Sequence, residues 1–179
     1  SNRPGLQLLR SLFLLGGTVL NFFALQYLPI TVTTTMFFAV PILVTLLAVP
    51  ILGEQVGLRR LLAVCTGFLG VVVVVQPWSA SFHPAMFLSL GSLSMAAMYF
   101  VMTRMLAGLE GNSTQQIWAS GIAALALAPF AIPGWVWPQG AGQWIVFGVI
   151  GTCGALGHIS AVTAHRFADA SILSPVLYV

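Results

Sequence analysis

The stretch from residue 27 to residue 54, YLPITVTTTMFFAVPILVTLLAVPILGE, indicates the fold class, because no charged side chain occurs in it before the final glutamate. About 20 consecutive apolar residues are enough to cross the ~30 Å hydrocarbon core of a membrane as a helix. The stretch therefore predicts a membrane-crossing helix over residues 31–52. Pro41 lies in the middle of this predicted helix, where proline removes a backbone hydrogen bond and favours a kink.

The rest of the 179-residue chain is similarly apolar. Hydrophobic residues make up 59% of it and charged residues only 5%, six arginines and three acidic residues, whereas soluble domains contain about 25% charged residues. Such a chain cannot cover a surface that faces water, which excludes a soluble domain and a disordered tail. The arginines are spread along the whole length and form no basic patch, so a nucleic-acid-binding protein is excluded as well.

Apolar runs separated by proline, glycine and polar residues predict six complete membrane spans and the start of a seventh. The predicted helices cover residues 5–28, 31–52, 58–76, 85–106, 114–133 and 143–165, and a last run begins at residue 171. The runs are continuous rather than alternating, which argues against a β-barrel. The predicted fold is an all-α, polytopic integral membrane helical bundle.

The arginine positions predict the orientation of the bundle. With these spans, all the arginines fall on one side: Arg3, Arg10, Arg59, Arg60, Arg104 and Arg166. Because connections that stay in the cytoplasm retain arginine and lysine, this side is predicted to be cytoplasmic. The chain is thus predicted to be a multi-pass protein of the cytoplasmic (inner) membrane.

A weak internal repeat relates the two halves of the chain. Residues 24–38 resemble residues 164–178 at a constant offset of 140, and the five-helix separation means that the two copies cross the membrane in opposite directions. We therefore predict inverted five-helix repeats that are truncated at both ends. Residues 1–76 would hold helices 3–5 of the first repeat, and residues 77–179 would hold helices 6–8 and the start of helix 9 in the second.

Several short motifs resemble those of the EamA-type drug/metabolite transporter superfamily. The first copy combines Tyr27-x-Pro29, a threonine-rich helix start, Pro41, Leu52-Gly53-Glu54 and a glycine-rich span after Arg59-Arg60. The second copy has Arg166-Phe167-Ala168-Asp169-Ala170-Ser171, followed by Pro175 and Tyr178. The resemblance implies a ten-helix permease with both termini in the cytoplasm, of which this chain is a fragment covering about helices 3 to 9.

A carrier needs polar groups at membrane depth on helix faces that converge on a cavity. Helical spacing places hydroxyl, amide, imidazole and aromatic side chains on single faces of several predicted spans. The predicted substrate-cavity residues are Asn21, Thr31, Thr34, Phe38, Ser92, Tyr99, His158, Ser171, Ser174 and Tyr178. For each serine and threonine the alternative is a role in helix packing, because small hydroxyl residues also form helix contact surfaces.

His158 is the candidate for proton coupling. It follows a glycine ridge, Gly148, Gly151, Gly154 and Gly157, which is expected to permit close helix approach. An imidazole titrates near neutral pH, so His158 could couple proton movement to transport. A neutral histidine that is hydrogen-bonded to a neighbouring helix is the alternative.

Charged residues collect at the predicted cytoplasmic helix ends. Glu54 and Asp169 are close in sequence to basic residues, namely Arg59, Arg60 and Arg166. Opposite charges at the membrane surface can pair in water and so orient the helices that carry them. We predict such pairing here, with a role in a cytoplasmic gate as the alternative.

The sequence gives no sign of catalysis. It contains no metal-binding or phosphate-binding motif, and Cys65 and Cys153 lie inside apolar runs, as small helix residues do. We expect no enzyme activity, no cofactor and no metal site. The predicted function is a secondary transporter that moves a small organic metabolite or drug by alternating access. A membrane-embedded structural or receptor-like helical protein without transport activity is the alternative.

The expected partners follow from this function. They are membrane lipid, a small organic solute and, as a candidate coupling ion, protons, but no nucleic acid. Neither the identity of the solute, nor the direction of transport, nor the oligomeric state can be read from the sequence.

Overall fold

The computed structural model describes residues 1–76 and 82–173, apart from the side chains of residues 60, 74 and 75. These residues form eight helices. In chain order the helices are α1 (Pro4–Leu25), α2 (Ile30–Phe37), α3 (Val40–Leu52), α4 (Leu58–Val75), α5 (Met86–Leu106), α6 (Asn112–Ala131), α7 (Ala141–Phe167) and α8 (Ala170–Leu173). The described residues contain no β-strand, so the all-α prediction is confirmed.

Four helical segments are long and apolar enough to cross a membrane. They are Pro4–Leu25, Ile30–Leu52, Met86–Leu106 and Ala141–Phe167, the first, second, fourth and sixth of the predicted spans. In α4 the apolar segment is shorter, Leu61–Val73. α6 covers the fifth predicted span but opens with a run of five polar residues and is not among the four. Of the six predicted spans, the described structure therefore supports four by length and composition.

The predicted helix over residues 31–52 is divided into α2 and α3. Pro41 has no N–H to donate to the carbonyl group of Phe37, and its ring crowds that carbonyl group. The chain turns at Phe38 and Ala39, whose N–H groups bond to carbonyl groups three residues back at 3.2 and 2.9 Å. The kink predicted from Pro41 is thus a break between two helices in the middle of a span.

α5 lies at the centre of the bundle, in contact with α1, α2, α3, α7 and α8. α1 packs along it, and Gly17 permits the close approach, since a Cβ on this residue would lie 3.2 Å from the carbonyl oxygen of Ser92. The Ser92 hydroxyl donates to the carbonyl oxygen of Gly17 at 2.6 Å. This hydrogen bond fixes α1 against α5 close to the middle of both helices.

α7 is the least covered of the long helices. Its buried residues are Val162 and His165, both near its C-terminal end. A Cβ added at any glycine of the predicted ridge, at positions 148, 151, 154 and 157, would meet nothing within 4 Å. The close helix approach predicted for this ridge is therefore wrong within the part of the chain that the structure describes, because α7 meets its neighbours further along.

Candidate functional site

A cavity of about 600 Å³ lies between α1, the break that joins α2 to α3, α5 and α7. Its lining comprises Phe13, Leu14, Gly17, Thr18, Asn21, Thr34, Phe37, Phe38, Val40, Pro41, Ser92, Ala96, Tyr99, Phe100, Gly154, Gly157, His158 and Ala161. The break contributes to the lining because the residues of the turn before Pro41 are oriented differently from residues of a regular helix. The volume is in the range of pockets that hold small organic molecules, about 300–1,000 Å³.

Six of the predicted cavity residues line this space. They are Asn21, Thr34, Phe38, Ser92, Tyr99 and His158. The structure thus brings together side chains that the sequence placed on four separate spans. Their role in binding a solute stays a prediction.

The other four predicted cavity residues are placed elsewhere. Thr31 is exposed in the first turn of α2, and Ser171 is buried in the first turn of α8, where its N–H donates to Glu54 Oε2 at 3.1 Å. Neither residue is among those that line the cavity. Ser174 and Tyr178 lie outside the described residues.

Aromatic rings form much of the cavity wall. Phe13, Phe37 and Phe100 join the predicted Phe38 in the lining. These three could not be singled out from the sequence, because a phenylalanine in an apolar run is as compatible with contact to lipid as with a cavity wall. The aromatic wall favours a solute with a flat ring over a fully polar one.

Several polar groups of the lining are already satisfied by the backbone. The hydroxyl groups of Ser92 and Thr18 donate to the carbonyl oxygens of Gly17 and Leu14 at 2.6 and 2.8 Å. For Ser92 this is the packing role that the sequence left open as the alternative. By contrast, the buried Oδ1 atom of Asn21 has no hydrogen-bond partner among the described residues.

Tyr99 connects the cavity to the interior of the bundle. Its side chain is 3% exposed, and its hydroxyl oxygen lies 3.3 Å from Nδ1 of His158. The two rings meet edge to face, with centroids 6.2 Å apart. His158 is half-buried and contacts α5 through Tyr99, which is the packing role that stands as the alternative to proton coupling.

Arg10 lies on the other side of Tyr99 and is fully buried. Its Nη2 group donates to the Tyr99 hydroxyl at 3.1 Å, its Nε group to the Thr103 hydroxyl at 2.8 Å, and its Nη1 group to the carbonyl oxygen of Gln115 at 3.1 Å. The guanidinium carbon is 4.7 Å from the centre of the Tyr99 ring. From the sequence, Arg10 is only a mark of the predicted cytoplasmic side, and the structure shows in addition that its side chain is buried.

Two buried glutamines accompany Arg10. Gln7 on α1 and Gln115 on α6 are both fully buried, and their side-chain amide atoms have no hydrogen-bond partner among the described residues. The sequence contains a signal for this cluster. Gln7, Arg10 and Ser11 are spaced i, i+3 and i+4, which places three polar residues on one face of an otherwise apolar helix.

A second polar cluster joins the ends of α3, α5 and α7 to the start of α8. Arg104 donates to Asp169 Oδ1 at 2.6 Å and to the carbonyl oxygen of His165 at 2.7 Å. Glu54 Oε1 lies 4.0 Å from Arg104 Nε and accepts the N–H of Ala170 at 3.0 Å. The carboxylate of Glu54 therefore caps α8, where the helix dipole favours a negative charge.

Among the described side chains, neither Arg59 nor Arg166, two of the basic residues predicted to pair with these carboxylates, forms an ion pair with them. Arg59 is exposed, and the side chain of Arg60 lies outside the described part of the chain. Arg166 donates instead to the carbonyl oxygen of Glu110 at 2.6 Å. The predicted partners were those nearest in sequence, whereas the structure brings Arg104 from α5 between Glu54 and Asp169.

Glu110 lies in the connection between α5 and α6. Its carboxylate accepts hydrogen bonds from the Ser1 hydroxyl at 2.7 Å, from the N–H of Arg3 at 2.9 Å, and from the N–H of Asn2. These donors, the Ser1 hydroxyl above all, hold the pKa of the carboxyl group below its usual value. Glu110 thus ties the start of α1 to this connection.

No group of three or more histidine, cysteine or acidic side chains that could hold a metal ion occurs among the described residues. Cys65 and Cys153 are free and exposed on α4 and α7. The cavity lining offers aromatic faces and a few hydrogen-bonding groups to a bound molecule.

Residues 3–76 of the chain match the EamA-like transporter family. Over 176 residues, 96% of this chain, it is 30% identical to the protein named riboflavin transporter from Vibrio cholerae serotype O1, of which it covers 58%. Over 179 residues, 99% of this chain, it is 27% identical to the S-adenosylmethionine uptake transporter from Rickettsia prowazekii, of which it covers 60%.

A third relative is the riboflavin transporter from Brucella anthropi, which is 29% identical over 176 residues, 96% of this chain and 62% of the relative. The chain thus spans between 58% and 62% of the length of these relatives. No solved structure matches the chain.

Proposed function

We propose a transport function for this chain, which belongs to the EamA-like transporter family of the drug/metabolite transporter superfamily. The protein is an integral multi-pass membrane protein. In our proposal it moves a small organic metabolite across the cytoplasmic membrane as a secondary transporter. The observation that carries the proposal is the cavity of about 600 Å³ in the middle of the spans, lined by four phenylalanines and by Asn21, Thr34, Tyr99 and His158 among its polar residues.

The lining suggests the class of solute. Aromatic walls gain free energy by burying a flat ring, and the few polar groups then fix its orientation. Relatives are named for riboflavin and for S-adenosylmethionine, and both of these compounds contain a heteroaromatic ring system. We therefore propose that the solute carries such a ring.

Alternating access requires contacts that close one side and can open again. The cluster of Glu54, Arg104 and Asp169 is our candidate for such a contact on the predicted cytoplasmic side. It joins the end of α3 in residues 1–76, the proposed part of the first repeat, to α5 and α8 in residues 77–179, the proposed part of the second. Separation of these helix ends would break one ion pair and expose the start of α8.

The helix boundaries agree with the proposed inverted repeat. α2 begins at Ile30 and α8 begins at Ala170, which is the same offset of 140 residues that relates the two sequence copies. Each of these helices follows a long helix, α1 or α7, after a short connection. The helix starts therefore support the proposed repeat independently of the similarity between residues 24–38 and 164–178.

Solute flux into proteoliposomes that contain the full-length protein tests the proposed function. Riboflavin, S-adenosylmethionine and ring-free metabolites of similar size are compared, each with and without a proton gradient. We expect saturable flux of at least one ring-bearing compound and little flux of the ring-free ones. Absence of flux for every compound in the set would favour the alternative of a structural or receptor-like membrane protein.

Proton coupling through His158 is a further part of the proposal with its own test. His158→Ala is expected to reduce flux and to flatten its dependence on the proton gradient, because the imidazole lines the cavity. His83→Ala is the matched control, since His83 is exposed and stacks on Tyr27 away from the cavity. An unchanged gradient dependence in His158→Ala would remove protons as the ion coupled through this residue.

A further inference from the structure

A continuous line of three side chains runs from the interior of the bundle to the cavity wall: Arg10, Tyr99 and His158. We propose that Arg10 and Tyr99 are positioning residues that hold neutral His158 in the tautomer with hydrogen on Nε2. The cavity then presents a hydrogen-bond donor at this point and selects solutes that offer a carbonyl or carboxylate oxygen to it. The part of this inference that concerns solutes rests on the proposed function, whereas the tautomer does not.

First, in the hydrogen bond between Arg10 and Tyr99, the arginine is the donor. A guanidinium group has five N–H donors and no acceptor. The Tyr99 hydroxyl oxygen, 3.1 Å from Nη2 of Arg10, must therefore accept this bond. Arg10 is held in place by two further bonds, to the Thr103 hydroxyl and to the carbonyl oxygen of Gln115.

The second step is the direction of the bond between Tyr99 and His158. A phenol has one hydrogen to donate, and Nδ1 of His158 lies 3.3 Å from the hydroxyl oxygen. If Nδ1 carried a hydrogen, it would also donate to the phenol oxygen, and the phenol hydrogen would have no partner among the described residues. Since Tyr99 is buried, that arrangement would leave an unsatisfied donor inside the bundle. The phenol therefore donates and Nδ1 accepts.

The third step follows from the chemistry of imidazole. A neutral ring has one donor nitrogen and one acceptor nitrogen, so an accepting Nδ1 places the hydrogen on Nε2. No hydrogen bond to Nε2 of His158 occurs among the described residues, and the ring lines the cavity. Nε2–H is thus available to an acceptor atom on a solute.

The distribution of charge favours the same class of solute. The chain has three carboxylates, and none of them forms an ion pair with Arg10 in the described structure. Glu54 and Asp169 lie with Arg104, and Glu110 lies with the first residues of the chain. The positive charge behind Tyr99 is therefore not balanced by protein, and an electron-rich oxygen at the cavity wall is stabilised by it.

His165, about two turns further along α7, provides an internal comparison. Its Nδ1 atom lies 2.8 Å from the carbonyl oxygen of Ala161. A carbonyl oxygen only accepts, so Nδ1 of His165 must carry a hydrogen. The two histidines of α7 are therefore fixed by their neighbours in opposite neutral tautomers.

Nitrogen-15 NMR of the full-length protein in lipid bilayers tests the inference, with labelled histidine and at a pH where the imidazoles are neutral. The signals of His158 are identified by their loss in His158→Gln. We expect a hydrogen-bearing Nε2 and a bare Nδ1 for His158, and the opposite pattern for His165. A hydrogen on Nδ1 of His158 in the unaltered protein would overturn the inference.

Tyr99→Phe tests whether the tyrosine sets this pattern. The variant keeps the ring but removes the hydroxyl, so we expect His158 to become a mixture of tautomers while His165 is unchanged. Tyr27→Phe, a matched change on the exposed surface, is expected to alter neither. Arg10→Lys supplies a second variant, and it is expected to shift His158 in the same direction because the three-point attachment of the guanidinium group is lost. An unaltered His158 pattern in both variants would contradict the positioning role.

The solute measurement is riboflavin binding, which is monitored through the quenching of riboflavin fluorescence. The dissociation constant of this carbonyl-bearing probe is expected to rise about two- to tenfold in Tyr99→Phe, the value of one hydrogen bond, and to stay unchanged in Tyr27→Phe. If the unaltered protein does not bind riboflavin, the expected recognition of this carbonyl-bearing ring fails, whereas the flux measurement still decides the transport function and the NMR result still decides the tautomer. If binding is tight and Tyr99→Phe does not weaken it, the donor role fails while the proposed transport function stands.

Discussion

The two polar clusters of this bundle place positive charge in opposite ways. Arg104 lies at the helix ends with two carboxylates, a quarter of its side chain exposed (27%), and its partners belong to elements that could separate. Arg10 lies fully buried inside the bundle, and its partners among the described residues are neutral oxygens, from a threonine, a tyrosine and a backbone carbonyl group. One charge is neutralised near water, and the other is retained beside the cavity.

The difference follows from the cost of desolvating a charge. Removing a guanidinium group from water is expensive unless hydrogen-bond acceptors of the protein replace the water, and an unpartnered buried charge is strongly destabilising. Near water, an ion pair that opens exposes groups that can be hydrated again. A reversible contact therefore suits the helix ends, whereas the site behind the cavity requires the fixed set of hydrogen bonds that Arg10 makes.

The largest effect is expected for Arg10→Ala. The substitution removes three hydrogen bonds of a buried charged group and leaves a void between α1, α5 and α6, so we expect a loss of about 3 kcal/mol or more in the free energy of unfolding. Thermal unfolding of the detergent-solubilised full-length protein measures it. Arg59→Ala, a change at an exposed arginine, is the control and is expected to stay within about 0.5 kcal/mol. Equal stability of the two variants would contradict the buried cluster.

A smaller effect is expected for Arg104→Ala. Because Arg104 and Asp169 are partly exposed, at 27% and 47%, water screens the pair, and we expect a loss of about 1 kcal/mol, of which the carbonyl bond to His165 contributes part. A double-mutant cycle with Asp169→Ala isolates the pairwise term, which should be no more than about 1 kcal/mol. A coupling as large as the whole effect of Arg10→Ala would show that the two clusters do not differ as described.

The smallest effect is expected at Glu110, which contacts the start of α1 near water. Its carboxyl pKa is lowered by the hydrogen bonds that it accepts, so the folded state binds its proton less readily than the unfolded chain. The stabilisation from these bonds is present above pH 4.5 and is lost as the pH falls through the lowered value. The free energy of unfolding, measured between neutral and acidic pH, should contain a pH-dependent component that Glu110→Gln removes. An identical pH dependence in the variant would rule this component out.

Much of the architecture could be predicted from the sequence, because apolar length and helical spacing are local properties. Asn21, Tyr99 and His158 were placed on converging faces by their spacing alone, and the cavity includes all three. The kink at Pro41 followed from its missing N–H. The periodicity does not predict the turn at Phe38 and Ala39, since the position of this turn depends on how α2 and α3 pack on their neighbours.

The arginines show where local reasoning fails. The rule that arginine marks the cytoplasmic side assumes that each guanidinium group is hydrated, and Arg10 is instead bound by side chains and backbone from α5 and α6. From the sequence, Arg104 is only a mark of the cytoplasmic side, because its carboxylate partners are 50 and 65 residues away (104 − 54 and 169 − 104). Which helix ends meet depends on the tertiary structure, and the spacing of residues within one helix carries no information about it.

The transport function that we propose requires that the space between α1, the α2–α3 break, α5 and α7 is a water-accessible site for a solute. Thr34→Cys in a Cys65→Ala, Cys153→Ala background tests it directly, by labelling with a water-soluble thiol reagent in native membranes. We predict rapid labelling at position 34, slowed by a solute that the protein transports, and no labelling of Leu125→Cys, which is 79% exposed on the bundle surface. Equal resistance of both positions to the reagent would contradict the claim.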